Sequence, residues 1–122
     1  MFIADTDVLI DFLRGEGEAE RIVLEISTGR LCTTAVTAFE LLAGSRGPRQ
    51  AATVESLLDA LTILPLDASS ARRAAEIRKE LEQTGRTIGM ADSLIAGITV
   101  NHDAILITRN RKHYERVPGL RL

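Results

Sequence analysis

The chain has 122 residues, 45% of them hydrophobic and 26% charged, which predicts one folded domain spanning residues 1–122 and excludes a disordered segment. Its formal net charge of −2, from 15 Lys and Arg against 17 Asp and Glu, excludes coating of nucleic acid by bulk charge, so any such contact needs a local basic patch. The single cysteine, Cys32, excludes an internal disulfide. The N-terminus does not resemble a signal peptide, and no apolar run approaches the ~20 residues that span a bilayer. We therefore expect a cytoplasmic protein without a membrane partner.

Apolar runs alternate with segments of helical periodicity along the chain. The first half predicts a strand at 2–4, a helix after Asp5 that ends at Gly15, a helix at 18–27, a strand at 31–34, and a helix capped by Thr34 or Thr37 that ends at Gly44. The second half predicts a helix beginning near Pro48, a strand at 61–66 that Pro65 marks as an edge strand or as a strand end, helices at 67–83 and 90–100, a strand at 104–107, a short basic helix at 109–116 and a last strand at 120–122. This alternation predicts an α/β fold with a central, mostly parallel sheet. Because the 104–107 strand is apolar at every position, we expect it in the buried middle of that sheet.

Polar residues directly follow two of the predicted strands. Asp5 comes after the first strand, and Thr108 and Asn110 come after the 104–107 strand. Ligands of open α/β sheets bind beyond the carboxyl ends of the strands. We therefore expect these residues to lie together along that edge of the sheet, which we call the rim. Taken singly, Asp5 is also explained as a helix cap, and Thr108 and Asn110 as turn residues.

Two further carboxylates lie in apolar surroundings. Glu40 stands between Phe39 and Leu41 on a helix of small and apolar residues, and Asp92 opens the most apolar helix of the chain. A buried carboxylate without a partner is costly, so it is expected to neutralise or to bind a cation. Taken singly, Glu40 also fits a surface position, and Asp92 also fits a favourable interaction with a helix N-terminus. Together with Asp5 they predict an acidic site that holds a divalent cation through oxygen ligands.

Four segments carry most of these polar residues: Phe2–Leu13, Thr37–Gly44, Gly89–Ala96 and Leu106–Tyr114. They resemble, in order and over nearly the whole chain, the four motifs of PIN-domain ribonucleases of the VapC toxin type. The resemblance implies an α/β/α sandwich and a Mg²⁺- or Mn²⁺-dependent endoribonuclease that hydrolyses RNA phosphodiester bonds by metal-activated water. It also implies the toxin component of a type II toxin–antitoxin system, inhibited by a small cognate antitoxin protein.

Carried over by position, the resemblance makes Asp5, Glu40 and Asp92 the catalytic residues and metal ligands, directly or through water. It gives supporting roles to Thr6, Asp7, Thr108 and Asn110. Many family members have Asp where this chain has Asn110. Because an amide is neutral, one bound metal ion is a better expectation than two.

Several other residues near these motifs are open to more than one interpretation. The candidates for contacts with RNA phosphates are Arg109, Arg111, Lys112 and Arg86, each of which is also explained as ordinary solvated charge. His113 and Tyr114 are interpreted as packing residues of the short basic helix rather than as residues that stack on a base. Apolar residues on the helices at 35–43 and 54–61 exceed what a small sheet covers, which suggests a homodimer face or a groove for a partner helix.

Two functions of other classes stay open on the sequence. Asp5-Thr6-Asp7 after a strand also resembles the nucleophile motif of haloacid-dehalogenase-like phosphatases, with Asp5 as nucleophile and Asp7 as acid/base. Against that alternative, Leu9 stands where the motif has Thr, and the chain is short for that fold. The non-enzymatic alternative is an inactive module that binds a metal or a protein partner, which Asn110 favours.

Overall fold

Four short strands and seven helices make up the protein, whose structure is a computed structural model that describes all residues 1–122. In chain order the elements are β1 (Phe2–Ala4), α1 (Thr6–Leu13), α2 (Ala19–Ser27), β2 (Leu31–Thr34), α3 (Ala35–Gly44), α4 (Gly47–Asp59), β3 (Thr62–Leu64), α5 (Ala68–Gln83), α6 (Met90–Asn101), β4 (Ile105–Ile107) and α7 (Arg111–Tyr114). These bounds follow the predicted ones closely, except that α7 is shorter than the predicted helix. None of the seven helices has the length and apolar character that crossing a membrane requires.

The strands form one parallel sheet in the order β3-β2-β1-β4, which confirms the predicted α/β fold; the strand before Pro65 both ends there and lies at an edge of the sheet. In the β1–β4 pair, Ala4 lies opposite Ile107. The backbone N–H of Asp5 donates to the carbonyl of Ile107 at 2.9 Å. Asp5 and Thr108, which follow these two strands, therefore lie next to each other at the carboxyl ends of the strands.

Helices cover both faces of the sheet because successive strand residues point to opposite sides. Ile3, Cys32 and Leu106 join one buried cluster, whose helical members come from α3, α5, α6 and α7. The neighbouring strand residues Ala4 and Ile107 join a second buried cluster with residues of α1, α2, α3 and α4. The result is the predicted α/β/α sandwich.

One predicted strand position is wrong. β4 lies at an edge of the sheet, and β1 and β2 occupy the middle. The C-terminal segment packs along the outer edge of β4. Ile105 forms a parallel bridge with Arg121, and the N–H of Leu106 donates to the carbonyl of Arg121 at 2.9 Å. The strand is apolar throughout because helices cover both its faces and this segment covers its edge. The predicted last strand at 120–122 is only this isolated bridge.

Two helix N-terminal caps fix where the rim residues lie. The Asp5 carboxylate accepts from the N–H of Thr6 and starts α1 immediately after β1. The Thr34 hydroxyl accepts from the N–H of Thr37 at 3.1 Å and starts α3 immediately after β2. Because each helix begins at the end of a central strand, the first turns of α1 and α3 lie side by side at the same rim.

Candidate active site at the rim of the sheet

Asp5 is the most deeply placed carboxylate of the rim. One of its oxygens, Oδ1, accepts from the N–H of Thr6 at 2.9 Å, and the other, Oδ2, accepts from the hydroxyl of Thr108 at 2.8 Å. Burial, followed by the charge of nearby Asp7, raises the pKa of Asp5 from 3.8 to about 6. The two interpretations of Asp5 are therefore compatible, since one oxygen caps α1 and the side chain also stands in an acidic cluster.

Asp7 lies in the first turn of α1 and faces the segment that follows β4. Its Oδ2 accepts from the N–H of Arg109 at 3.2 Å and lies 3.4 Å from the hydroxyl of Thr108. Its other oxygen, Oδ1, is buried and has no hydrogen-bond partner. Burial raises the pKa of Asp7. Asp7 thus ties α1 to β4 while leaving an unsatisfied acceptor inside the site.

Glu40 is half-buried on α3, as its apolar neighbours predicted. Its Oε1 accepts from the hydroxyl of Thr6 at 2.7 Å, and that hydroxyl lies 2.9 Å from the hydroxyl of Thr37. Thr6 is thereby a direct link between the α1 and α3 acids, because its backbone contacts Asp5 and its side chain contacts Glu40.

Asp92 lies in the first turn of α6, with 37% of its side chain exposed. Its Oδ1 accepts from the hydroxyl of Tyr114 at 3.1 Å, and its Oδ2 lies 3.2 Å from Nε2 of His113. Both contacts come from α7 and its neighbourhood. The third acid is therefore held by a different part of the chain from Asp5 and Glu40.

The aspartates at the site act on one another and on Tyr114 through their charges. The pKa of the buried Tyr114 hydroxyl is raised strongly, first by burial and then by the negative charges of Asp5, Asp92 and Asp7. The charge of Asp92 also contributes to the raised pKa of Asp5. The acids line one rim, but no three Asp, Glu, His or Cys side chains are gathered closely enough to form a ready-made metal site.

The oxygens at this rim are nevertheless of the type that a hard divalent cation takes. Asp5, Asp92 and Glu40 offer carboxylates, and Asp7 keeps a buried oxygen without a donor. Like charges crowded in a partly buried place raise one another's pKa values unless a cation compensates them. Because Mg²⁺ keeps several waters and uses few carboxylates, the donor set fits such an ion without a closed cage of protein ligands.

The predicted RNA-contacting residues are placed unequally. Arg109 pairs with Asp11, with 3.0 Å between Nε and Oδ2. Arg111 and Lys112 are exposed on α7 and Arg86 is exposed on the loop before α6; these three side chains make no ion pair.

The supporting residue Asn110 stands at the start of α7 with its side chain exposed. Its backbone N–H donates to the hydroxyl of Thr108 at 3.0 Å. Thr108 is therefore fixed from one side by Asn110 and donates to Asp5 on the other. The hydroxyl of Thr108 contacts the carboxylate of Asp5 directly. Asn110 contributes only its backbone N–H, which contacts Thr108.

Sequence reasoning did not assign Tyr114, His113 or Asp11 to the site. Tyr114 packs in the core, as predicted, but its hydroxyl also reaches Asp92, which no local pattern reveals. Asp11 could have been found, because it lies one helical turn after Asp7 and two acids at that spacing share a face of α1.

The fold and the rim together define a class of protein: a three-layer α/β domain with an acidic site at the carboxyl ends of parallel strands. The chain belongs to the PIN domain family, which matches residues 2–120.

The chain is similar over nearly its whole length to several curated proteins. The chain is 33% identical over 124 residues to the tRNA(fMet)-specific endonuclease VapC of Shigella flexneri, which covers 98% of this chain and 94% of that protein. It is 32% identical over 125 residues to the tRNA(fMet)-specific endonuclease VapC of Salmonella typhimurium, and the match covers 99% of this chain and 95% of that protein.

A solved structure agrees with these relatives. The crystal structure of DNA-bound VapBC from Salmonella typhimurium superposes with a TM-score of 0.89 at 33% identity, over 98% of this chain and 94% of that one. The resemblance to VapC-type PIN-domain ribonucleases is therefore confirmed. Nothing in the comparisons supports a haloacid-dehalogenase-like phosphatase or an inactive binding module.

Proposed function

We propose that this chain is a metal-dependent endoribonuclease, the toxin of a type II toxin–antitoxin pair, and that it hydrolyses RNA phosphodiester bonds at the acidic rim. The carrying observation is that Asp5 and Glu40, both in contact with Thr6, lie at the carboxyl ends of the parallel strands of a PIN domain, where the charge of Asp92 also acts on Asp5. The names of the curated relatives, ribonuclease and tRNA-specific endonuclease, agree with this activity.

The proposed metal ligands are Asp5, Glu40 and Asp92, and the proposed ion is Mg²⁺ or Mn²⁺. The raised pKa of Asp5 and the unpaired oxygen of Asp7 support a cation there, because both describe negative charge that the protein leaves uncompensated. When bound, such an ion activates water and stabilises charge on a phosphate. One ion is a better expectation than two, since the side chain of Asn110 is neutral and exposed.

The remaining residues are proposed to orient the acids and the substrate. The Thr108 hydroxyl holds Asp5, and the Thr6 hydroxyl holds Glu40. Arg111 and Lys112 are the better candidates for RNA phosphates, because no carboxylate competes for them as Asp11 does for Arg109. Arg86 is a further candidate on the loop that leads to Asp92.

The proposed partners are a small antitoxin and a second copy of the chain. Antitoxin binding is supported by neighbours whose structures are VapBC complexes. A cavity of about 430 Å³ between α1, α3 and α4, lined by Ile10, Leu41 and Val54 among others, is large enough to take side chains of such a partner.

A homodimer is supported by Phe39 and Leu42, which are 70% and 38% exposed on α3. We also propose a cytoplasmic location, which suits the free thiol of Cys32.

A cleavage assay tests the proposed activity. Total RNA is incubated with wild type, Asp5→Asn, Glu40→Gln and Asp92→Asn, each with Mn²⁺ and with EDTA. We expect cutting by wild type only when Mn²⁺ is present, and a loss of at least about 100-fold in each variant. Full activity in all three variants, or equal cutting in EDTA, would refute the proposal.

A further inference from the structure

Asp92 differs from the other two acids in what holds it. Asp5 and Glu40 accept from Thr6, the first residue of α1, and from Thr108, which directly follows β4. The two oxygens of Asp92 instead meet Tyr114 and His113, which lie 22 and 21 residues further along the chain. The orientation of Asp92 therefore depends on the α7 segment.

The α7 segment is fixed in the core, so its donors have little freedom. Tyr114 is 1% exposed and belongs to the same buried cluster as Ile95 and Ile98 of α6. Val117 anchors the segment on the other side of the turn. The ring of His113 packs edge-on against Tyr114, with 5.6 Å between ring centroids. The phenol and the imidazole are thus presented to Asp92 by a packed scaffold.

Arg116 determines which nitrogen of His113 carries the proton. Its Nη2 lies 2.8 Å from Nδ1 of His113, and its Nε donates to the carbonyl of the same residue at 3.2 Å. A guanidinium only donates hydrogen bonds, so Nδ1 must be the acceptor and the ring proton lies on Nε2. That Nε2 is buried without a formed hydrogen bond, and Asp92 Oδ2, 3.2 Å away though out of line, is the acceptor within reach.

We propose that Tyr114 and His113, with Arg116 behind His113, are positioning residues that hold both oxygens of Asp92 in the orientation the cation needs. The proposal rests on the proposed function, because it assigns Asp92 as a metal ligand. Carboxylates that bind metals are themselves held by hydrogen bonds, and loss of such a partner typically lowers metal affinity by about 10- to 100-fold.

Mn²⁺ affinity measured by isothermal titration calorimetry tests the Tyr114 contact. Tyr114→Phe keeps the ring in the core and removes the hydroxyl; we expect Mn²⁺ binding about 10-fold weaker than in wild type. Thr99→Val is the matched control, because it removes another buried hydroxyl of the α6 region, bonded to the carbonyl of Ile95, and we expect unchanged affinity. In an Asp92→Asn background, Tyr114→Phe should cause no further loss.

Two outcomes overturn the proposal and differ in what they imply. If Tyr114→Phe binds Mn²⁺ as tightly as wild type while Asp92→Asn does not, the positioning role is wrong and the proposed ligand set stands. If Asp92→Asn itself binds as tightly as wild type, the ligand role of Asp92 fails and the positioning role fails with it.

The His113 contact has its own test, which also serves if Tyr114→Phe does not fold. Long-range ¹H–¹⁵N spectra of the metal-free protein should show the Nε2–H tautomer of His113, and an Nδ1–H tautomer would contradict the proposal. His113→Gln places an amide nitrogen near the position of Nε2 and should keep most of the Mn²⁺ affinity, whereas His113→Asn should not. Equal affinities in these two variants would also overturn the assignment.

Discussion

Asp5 is the most deeply buried carboxylate of the rim, with 5% of its surface exposed. Its folded-state pKa of about 6 lies above the ordinary value of 3.8, because burial and the charge of Asp7 penalise the ionised form. Between these two pH values the folded protein binds more protons than the unfolded chain, so this group lowers the free energy of unfolding as pH rises. A shift of about 2 pKa units corresponds to about 3 kcal/mol once the pH exceeds the folded-state value.

Asp5→Asn should therefore stabilise the metal-free protein at neutral pH. Asn is as good a helix cap as Asp and can still accept from the N–H of Thr6, while the hydroxyl of Thr108 can turn to accept from the amide. In EDTA at about pH 7.5 we expect the variant to exceed wild type by up to about 3 kcal/mol in urea unfolding, and the difference to shrink towards about pH 4.

Asp59→Asn, a change at an exposed position at the end of α4, should show no such pH-dependent difference. Adding Mn²⁺ should stabilise wild type and leave Asp5→Asn nearly unchanged, because only a folded protein that binds the ion gains stability from it. A variant no more stable than wild type at neutral pH would mean that the carboxylate of Asp5 is compensated by something other than a cation.

Thr6 offers a second test at the residue scale. Thr6→Val keeps the shape of the side chain but removes the hydroxyl that donates to Glu40 at 2.7 Å. We expect RNA cleavage to fall by about 10-fold or more, because Glu40 loses its orienting donor. Thr53→Val, which removes a hydroxyl bonded to the carbonyl of Arg49 on the exposed side of α4, should leave the cleavage rate unchanged. Similar rates in the two variants would contradict the orienting role of the Thr6 hydroxyl.

At the scale of elements, the packing of α5 against α6 positions Asp92. Gly97 of α6 lies close to the backbone of α5, and a Cβ added there would stand 2.7 Å from the carbonyl oxygen of Ser70 and 2.8 Å from Ala74. Both contacts include backbone atoms of α5, so neither can give way by rotating a side chain. The glycine is therefore required by the close approach of two helices rather than by a turn.

Gly97→Ala should destabilise the fold by about 1–3 kcal/mol in urea unfolding, because the helices must separate to admit the methyl group. Gly44→Ala is the matched control on α3, since an added Cβ there meets nothing within 4 Å. That change should be neutral or stabilising by up to about 1 kcal/mol, owing to the better helix propensity of Ala. Equal stability of the two variants would show that α5 and α6 can adjust at no cost.

The elements also show how far the sequence predicts this fold. Helices and strands were predictable because caps, glycines and proline mark their ends, as at Asp5, Thr34 and Pro48. The position of β4 was not, because an apolar strand looks the same whether a neighbouring strand or the C-terminal segment covers its outer edge. Strand order depends on contacts between distant parts of the chain, which periodicity does not contain.

At the scale of the whole molecule, α3 presents apolar side chains that the protein leaves uncovered. The sequence predicted more apolar surface on α3 and α4 than the sheet covers. On α4 the apolar residues, among them Val54, Leu57 and Leu58, are in fact buried in the core. Phe39 and Leu42 are the part that remains exposed on α3. A second copy of the chain is the partner we propose for this surface.

Replacing Phe39 and Leu42 together by Ser should convert a dimer into monomers. Sedimentation equilibrium of wild type is expected to give twice the mass of one chain, and the double variant the mass of one. Leu24→Ser, at a comparably exposed position on α2, should leave the mass unchanged. A monomeric wild type would contradict the homodimer.

The candidate site could be predicted only in part. The motifs indicated Asp5, Glu40 and Asp92 as candidates, and a shared edge of the sheet was expected for Asp5 and Thr108 because each follows a parallel strand. The hydrogen bonds that hold them, from Thr6, Thr108 and Tyr114, join residues up to 103 positions apart and depend on side-chain directions that only the folded chain defines.

The most direct test of the account is a crystal structure of the protein with Mn²⁺, in which anomalous scattering locates the ion independently of the protein coordinates. We predict one anomalous peak at the rim, with oxygens of Asp5 and Asp92 within about 2.0–2.5 Å or one water away, and Glu40 in the same site. A peak elsewhere on the protein, or none at saturating Mn²⁺, would contradict the claim that these acids form a cation-dependent active site.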